Sequence, residues 1–183
     1  MIKNKIVKYY ARKDRNIAIK VINGHFVTTH SHLNYYLDMT TMKTRQNEAE
    51  RIAIALKDYY NVMGKPIDTI VCLDNCEVIG AFLASELSRS GVFRDNLKPE
   101  IYGKNVLLLL ASATTGKTVR TSIECIEYYG GILQGISAIF SAVDSIDGHR
   151  IDALFRAEDI PNYEAYPSHD CPMCKAGQSV DAL

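Results

Sequence analysis

The apolar residues of this chain fall into short continuous runs, and helical periodicity separates the runs. Three runs predict strands: Ile67 to Leu73, Val106 to Leu110, and Ile136 to Val143. Runs without alternation are typical of strands in a parallel sheet that is covered on both faces. The sequence therefore predicts a buried parallel sheet as the centre of the molecule.

Apolar residues between these runs recur at three- and four-residue spacings, which predicts helices. The predicted helices span Lys43 to Met63, Glu77 to Ser88, and Lys117 to Tyr129. Alternating helices and strands indicate right-handed crossovers and an α/β fold, with a mainly parallel sheet flanked by helices. Ligands of such sheets bind beyond the carboxyl ends of the strands. The expected crevice is bordered by Asp74 to Glu77, Ala111 to Thr118, and Ser141 to Asp147.

The N-terminal part has a different pattern, with weak alternation from Ile17 to Ile22. Asn23-Gly24 is a turn signal and predicts a hairpin with His25 to Thr29. Tyr35 to Leu37 also has strand character. We expect a small β unit before the α/β core.

Composition narrows the functional classes. The 183 residues carry 21 Lys+Arg and 21 Asp+Glu, so the net charge is zero and no basic block favours nucleic acid or a membrane surface. No apolar run approaches the ~20 residues of a membrane span. The N-terminus shows no secretory signal, and three of the five cysteines, Cys72, Cys76 and Cys125, lie in or beside apolar elements. These features predict a protein of the reducing cytoplasm.

The segment after the central strand carries the clearest chemistry. It runs Ala111, Ser112, Ala113, Thr114, Thr115, Gly116, Lys117, Thr118 and opens a helix. Backbone N–H groups, hydroxyls and a helix N-terminus meet at this point, and all of them favour an anion. The segment therefore predicts a phosphate-binding loop.

Two families share this local pattern. Ala111 to Thr118 fits a relaxed P-loop, for which Asp144 is a candidate magnesium ligand. Thr114-Thr115-Gly116-Lys117-Thr118 resembles the phosphoribosyl-diphosphate (PRPP) motif of type I phosphoribosyltransferases. More than half of the chain precedes the loop, whereas P-loop domains usually begin with it, so the second interpretation is favoured.

Three further segments extend this resemblance over about Phe26 to Gly177. His30 to Asp38 resembles the hood segment of orotate phosphoribosyltransferases, and Ile67 to Gly80 resembles the diphosphate loop with its helix. Asp170 to Gly177 resembles the Cys-Pro-x-Cys tail of some bacterial orotate enzymes. The resemblance implies that Ala111 to Thr118 bind PRPP. It implies a diphosphate loop at Asp74, Asn75, Cys76 and Glu77, and a hood facing the base at Phe26, Ser31, Tyr35 and Tyr36.

The resemblance also implies an activity and an organisation. The expected enzyme transfers ribose 5-phosphate from PRPP to a nucleobase, with orotate as the best candidate, and uses Mg²⁺. It implies a homodimer with small-molecule substrates and without nucleic acid or membrane partners. The expected divisions are an N-terminal hood segment (1–40), a core (41–150), and a C-terminal hood segment with the tail (151–183). No catalytic residue is assigned.

Three departures from the family pattern leave an alternative open. Ala111-Ser112 replace the acidic pair that holds the ribose hydroxyls in the family. A basic mobile loop and a strand are missing near positions 90 to 105, around Gly91 to Phe93. Either the chain lacks them or this sequence omits their residues, and the second interpretation is favoured. The hood lysine is not found at Thr28 or Thr29. The alternative is a binder of PRPP or a nucleotide without catalytic activity.

Two groups of residues raise the question of a metal. Cys171 and Cys174 with His169 form half of a zinc site, but a structural zinc site needs four ligands and no second Cys-x-x-Cys exists. His25, His30 and His32 lie close in sequence, yet their spacing favours no single geometry. Zinc at Cys171, Cys174 and His169 is therefore the less favoured expectation.

Overall fold

The computed structural model describes residues 6–61, 66–87, 91–94 and 99–181. In chain order the strands are β1 (Ile6–Tyr10), β2 (Ala18–Val27), β3 (His32–Asp38), β4 (Thr69–Cys72), β5 (Gly91–Arg94), β6 (Asn105–Ala113), β7 (Ile132–Ser141), β8 (Ser145–Ile146), β9 (His149–Arg156) and β10 (Ala165–Tyr166). The helices are α1 (Thr40–Thr44), α2 (Gln46–Asn61), α3 (Glu77–Glu86), α4 (Lys117–Tyr128) and α5 (Pro172–Lys175). Short 3₁₀ turns span Pro99–Ile101, Ala157–Asp159 and Ser168–Asp170.

Six strands form the core sheet in the order β5-β4-β6-β7-β9-β8. Every pairing is parallel except the short antiparallel pair of β8 with β9. The predicted α/β fold, with a mainly parallel sheet flanked by helices and a small hood, is confirmed. Among the described helices, none is long and apolar enough to cross a bilayer.

Strand β6 lies inside the core sheet, between β4 and β7. Its residues from Val106 to Leu110 are fully buried, with side chains on both faces of the sheet. Leu107 and Leu109 belong to one hydrophobic cluster, and Leu108 belongs to the cluster on the other face. An unbroken apolar run is the pattern that a doubly covered strand requires, because neither face meets water.

A second, antiparallel sheet forms the hood, in the order β1-β2-β3-β10. Strand β10 pairs with β3 through Ala165 and Tyr166, so both ends of the chain build this sheet. Asn34 strengthens the joint, because its side-chain N–H donates to the Asn162 carbonyl and its oxygen accepts from the Glu164 N–H at 2.8 Å.

The hairpin predicted at Asn23-Gly24 is wrong. Strand β2 continues through these residues with an irregularity in its pairing to β3, and the chain reverses only between Val27 and His32. A Cβ atom at Gly24 would overlap the Asp181 carboxylate and the Phe26 ring. Glycine is present because another segment approaches the backbone closely, which is a second common reason for glycine inside a strand.

The single helix predicted from Lys43 to Met63 is two helices. Helix α1 ends at Thr44, because the next residue, Arg45, has an extended backbone at φ −88° and ψ 127°, and α2 begins at Gln46. Position 63 lies outside the described residues. The break directs α1 toward the end of β4, where it carries Lys43 to the crevice.

The expectation that a strand is missing near positions 90 to 105 is also wrong. Gly91–Arg94 is β5, and it pairs in parallel with β4. Its four residues were too few for a periodic pattern, and a short edge strand needs no long apolar run. Residues 95–98, where part of the expected mobile loop would fall, lie outside the described residues.

The two predicted boundaries, after residues 40 and 150, can be compared with the strands of the structure. Strand β9 spans the predicted boundary after residue 150 and pairs with β7 in the core sheet. Strand β3 ends two residues before the other boundary, after residue 40. The divisions 1–40, 41–150 and 151–183 stay predictions, and residues 1–5 and 182–183 lie outside the described chain.

Candidate functional site

A cavity of about 380 Å³ lies between the hood and the carboxyl end of the core sheet. This is the edge at which ligands of parallel sheets bind. Its hood side is lined by Thr28, Thr29, His30, Leu33, Tyr36, Leu37, Met39, Thr40 and Lys43. Its sheet side is lined by Asp74 and by the continuous segment from Ala111 to Val119.

The loop after β6 leaves backbone donors unused. Among the described residues, none accepts a hydrogen bond from the N–H groups of Thr114, Thr115 or Gly116. Gly116 is the N-cap of α4 and has φ +75°, a left-handed conformation that glycine adopts without strain. Free N–H groups at the start of a helix form an anion site. The structure therefore brings all eight predicted PRPP-binding residues to the cavity wall.

Gly116 is also required by close packing. A Cβ atom at this position would overlap the Cδ1 atom of Ile146, which lies beneath the loop in β8. Val143 lies on the same side, about 4.0 Å from that position. The chain after β7 thus supports the loop from below, and the loop approaches it more closely than any side chain would permit.

The turn after β4 is built differently. Asp74 and Asn75 have φ of 55° and 59°, a left-handed conformation that Asp and Asn tolerate better than other residues with side chains. The Lys43 ammonium donates to the Asp74 carbonyl oxygen at 2.8 Å. The Asp74 carboxylate accepts the Ala111 N–H at 3.1 Å. These bonds hold an unfavourable turn and join it to the phosphate loop.

The predicted diphosphate loop is only partly at the cavity. Asp74 lines it, and Asn75 is exposed beside it. Cys76 is fully buried, and this burial, together with the nearby Asp74 charge, raises the pKa of its thiol. Glu77 lines a separate depression along α3 with Val78.

The four predicted hood residues have different positions. Tyr36 lines the cavity, and Phe26 packs behind it with ring centroids 5.7 Å apart. Ser31 is buried and lies 3.0 Å from the Thr28 hydroxyl, which holds the turn between β2 and β3. Tyr35 packs against the main hydrophobic core.

The third segment expected at the crevice, Ser141 to Asp147, is not among the lining residues. Asp144 pairs with Arg156 at 3.2 Å, and Asp147 pairs with Arg120 at 2.8 Å. The Arg120 hydrogen bond and charge hold the pKa of Asp147 below its usual range. These acids form surface ion pairs around β8 and do not line the cavity.

The cavity does not offer the ligands of a magnesium site. Of the described residues that line it, Asp74 alone carries a carboxylate, and that carboxylate already accepts the Ala111 N–H. The side chain of buried Ala111 has no oxygen, and Ser112 adds one hydroxyl. Protein-bound Mg²⁺ usually has one or two free carboxylates together with substrate phosphates. The residues present therefore do not fit a resident magnesium ion.

The predicted metal residues form a different group from the one expected. Cys171 and Cys174 meet His25 and His32, and their four ligand atoms lie within 4.8 Å of one another. His169 is exposed and lies outside this group, and His30 lines the cavity instead. Sequence spacing alone could not show that β2, β3 and the tail converge.

Sequence reasoning also missed several residues of the cavity wall. Lys43 was assigned to the start of a long helix, and Leu33, Met39 and Thr40 carried no chemical signal. The break before α2 is what brings Lys43 to Asp74. A basic residue in the last turn of a helix is too common a feature to identify a site.

No protein-family model matches the chain. The orotate phosphoribosyltransferase of Sulfurimonas denitrificans is 27% identical over 185 residues, which cover 89% of this chain and 92% of that protein. The enzyme of the same name from Caldanaerobacter subterraneus is 28% identical over 194 residues, 97% of this chain and 94% of that protein.

Solved structures with the same fold include two kinds of phosphoribosyltransferase. Mycobacterium tuberculosis orotate phosphoribosyltransferase aligns with a TM-score of 0.58 at 16% identity, over 78% of this chain and 93% of that one. Thermoanaerobacter pseudethanolicus adenine phosphoribosyltransferase aligns with a TM-score of 0.56 at 16% identity, over 82% of this chain and 95% of that one. The chain therefore has the fold of type I phosphoribosyltransferases, and it is similar over most of its length to proteins named orotate phosphoribosyltransferase.

Proposed function

We propose that this protein transfers ribose 5-phosphate from PRPP to a nucleobase, with orotate as the base, and releases diphosphate. The observation that carries the proposal is the cavity between the unbonded N–H groups of Thr114, Thr115 and Gly116 and the hood wall. Two full-length relatives are named orotate phosphoribosyltransferase. A neighbour from Mycobacterium tuberculosis, with a TM-score of 0.54, was solved with PRPP bound.

The two walls of the cavity suggest how the substrates would be placed. The loop from Thr114 to Thr118 would hold the 5-phosphate through its N–H groups and hydroxyls. The base would lie against Tyr36, whose ring is fixed by Phe26. Lys43 and Asp74 lie on the remaining side, where the Lys43 ammonium would offset diphosphate charge.

Catalysis of this kind depends mainly on positioning. The transition state resembles an oxocarbenium ion, so the protein must orient the base and stabilise the departing diphosphate. No side chain needs to form a bond to the ribose. The chain therefore requires a rigid phosphate loop and a cavity wall that excludes water, and no step is assigned to magnesium.

The alternative is a protein that binds PRPP or a nucleotide without turning it over. The absence of an acidic pair at Ala111-Ser112 favours this alternative, because nothing else in the described cavity replaces both carboxylates. Asp144 and Glu77 follow neighbouring strands and carry carboxylates, but neither lines the cavity, so neither replaces the pair. A P-loop nucleotide-binding function has less support. Its magnesium ligand would be Asp144, which pairs with Arg156 and does not line the cavity.

A substrate screen separates these functions. The protein is mixed with PRPP, Mg²⁺ and orotate, adenine, guanine or hypoxanthine, and nucleotide formation is followed by chromatography. Formation of orotidine monophosphate with orotate supports the proposal. Binding of PRPP in calorimetry without any nucleotide product identifies the non-catalytic binder.

Ribose 5-phosphate titration tests the phosphate loop independently of turnover. The amide resonances of Thr114, Thr115 and Gly116 should shift at saturating ligand. The amide of Gly103, which also has a left-handed backbone but donates to the Gly130 carbonyl, is the matched control and should not shift. Unmoved Thr115 and Gly116 amides would contradict the assignment of this loop.

We also propose that the protein is a homodimer, as the family resemblance implies. Several apolar side chains of β1, among them Ile6 and Tyr10, are exposed in the single chain. Sedimentation equilibrium should give twice the chain mass at micromolar concentration. A monomer at high micromolar concentration would refute this proposal.

A further inference from the structure

The four side chains at the end of the hood have the chemistry and the spacing of a metal centre. His25 Nε2 lies 3.0 Å from His32 Nδ1, 3.6 Å from Cys171 Sγ and 3.6 Å from Cys174 Sγ. Cys174 Sγ lies 3.3 Å from His32 Nδ1. The four ligand atoms therefore form a compact cluster, all within 4.8 Å of one another.

The spacing of this cluster suits a tetrahedral zinc ion. With Zn–S near 2.3 Å and Zn–N near 2.0–2.1 Å, tetrahedral angles place S and N ligands about 3.5 Å apart and two N ligands about 3.3 Å apart. The observed distances lie within about 0.3 Å of these values. Four ligands leave no open position, which distinguishes a structural zinc site from a catalytic one.

Hydrogen bonding without a metal explains the group less well. The Nδ1 atom of His25 lies 3.0 Å from the Gln178 carbonyl oxygen, which can only accept, so Nδ1 carries the proton and Nε2 carries a lone pair. His32 and both cysteines converge on this one lone pair, which can accept only one well-directed hydrogen bond. A metal ion at the centre would give every one of the four atoms a partner.

The hydrogen bonds around His25 are those expected of a metal-bound histidine. Metal-bound histidines usually donate their second ring N–H to a carbonyl or carboxylate, which orients the ring. His25 does so to Gln178, and its backbone N–H donates to the Asp181 carboxylate at 2.8 Å. His25 and Cys171 are almost fully buried. Two thiolates and Zn²⁺ sum to zero charge, so burial of the complex costs little.

The tail has the local structure that presents two thiolates together. Pro172 begins α5, and the N–H of Lys175 returns to the Cys171 carbonyl at 3.1 Å. Gly177 has φ +72° and closes the helix, with its N–H bound to the Cys174 carbonyl at 3.0 Å. The tight turn places both sulfur atoms on the side facing His25.

We propose that His25, His32, Cys171 and Cys174 bind one structural Zn²⁺ that joins the C-terminal tail to the hood. The two histidines flank the turn that carries Thr28, Thr29 and His30, all of which line the cavity. The ion thus fixes both ends of this turn against a tail that is about 140 residues away in sequence. The assignment of zinc follows from the donor set, because tetrahedral S₂N₂ sites favour zinc.

Metal analysis of the full-length protein tests the site directly. Protein purified in reducing buffer without chelator should contain about one zinc per chain. Extended X-ray absorption at the zinc edge should show two sulfur and two nitrogen neighbours. Cobalt substitution should give the strong visible bands of a tetrahedral ion and a thiolate charge-transfer band.

Variants identify the ligands. Cys174→Ser and His32→Gln change the two less buried ligands and should lower zinc content at least about tenfold. His169→Gln and Cys125→Ser are the matched controls, because each removes the same kind of side chain outside the group and should keep the metal. Equal zinc loss in His169→Gln and His32→Gln would overturn the ligand assignment.

Hydrogen exchange reads out the structural role. Chelation of the wild type should raise exchange across residues 26–33 and 171–178 and leave α2 unchanged, and it should have no added effect on Cys174→Ser. The proposal is overturned if the wild type holds no stoichiometric zinc and gives no tetrahedral cobalt spectrum. Neither readout depends on transferase activity, so the two proposals can fail separately.

Discussion

The loops after β4 and β6 occupy neighbouring strand ends but solve the same geometric problem in opposite ways. Both enter the left-handed region, one through Gly116 and the other through Asp74 and Asn75. In the loop with glycine, the N–H groups of Thr114, Thr115 and Gly116 have no acceptor among the described residues, and the loop faces the cavity. The turn with Asp-Asn is held by Lys43 and by its own bond to Ala111. The loop after β6 can therefore bind an anion, while the turn after β4 holds that loop in place through the Asp74–Ala111 bond.

The largest effect is expected from Gly116→Ala. The left-handed backbone costs about 1–2 kcal/mol in a residue with a Cβ atom, and overpacking against Ile146 adds about 1–3 kcal/mol. The free energy of unfolding should fall by about 2–5 kcal/mol, measured by urea denaturation, and ribose 5-phosphate binding should be lost.

Gly103→Ala is the matched control for this variant. Gly103 has φ +69°, but no atom of the described residues beyond its chain neighbours lies within 4 Å of its Cβ position. This variant should incur only the backbone cost of about 1–2 kcal/mol. Equal destabilisation by the two variants would show that contact with Ile146 does not constrain the loop.

The next largest effect is expected from Asp74→Ala, which removes the bond between the two loops. Loss of a charged acceptor for the Ala111 N–H should lower the free energy of unfolding by about 1–2 kcal/mol. Asp74→Asn keeps an acceptor oxygen and tolerates the left-handed backbone, so it should cost clearly less. If both variants were equally destabilised, the negative charge rather than the hydrogen bond would be the important feature.

Ser112→Asp should sharpen the distinction between an enzyme and a binder. Ser112 lines the cavity and is half-buried, so an added carboxylate there would restore one member of the missing acidic pair. Magnesium-dependent PRPP affinity should rise about tenfold, or about 1.4 kcal/mol, in calorimetry. Ser145→Asp is the control, since Ser145 is exposed and does not line the cavity. Unchanged affinity in Ser112→Asp would argue against a ribose or magnesium position beside this residue.

The smallest effect concerns Cys76, which lies in the β4 turn but does not face the ligand. Burial, with the Asp74 charge, raises the pKa of Cys76, so its thiol stays protonated where ordinary thiols ionise. Above about pH 8.5 the unfolded chain releases this proton and the folded chain does not, so stability should fall as pH rises. Iodoacetamide should modify Cys76 at least about tenfold more slowly than half-buried Cys125 in the native protein, and at similar rates in denaturant. Comparable native rates would place Cys76 at the cavity surface.

The sequence by itself determined the features that depend on neighbours along the chain. The apolar run of β6 requires cover on both faces, and the small polar residues after it predict a tight loop with backbone donors before α4. Helix and strand periodicity also predicted the α/β class. Locally encoded elements were predictable because burial pattern and backbone preference act within a few residues.

Only the tertiary structure decided which distant segments meet. Gly24 gave the signal of a turn, but the approach of Asp181 from the other end of the chain is what requires a glycine there. His25 and His32 join Cys171 and Cys174 because β10 pairs with β3 and carries the tail across the hood. Glu77 does not line the cavity because it lies in a separate depression along α3. Asp144 does not line it either, and its side chain pairs with Arg156. Such contacts depend on packing between segments that are far apart in sequence, and no local pattern encodes them.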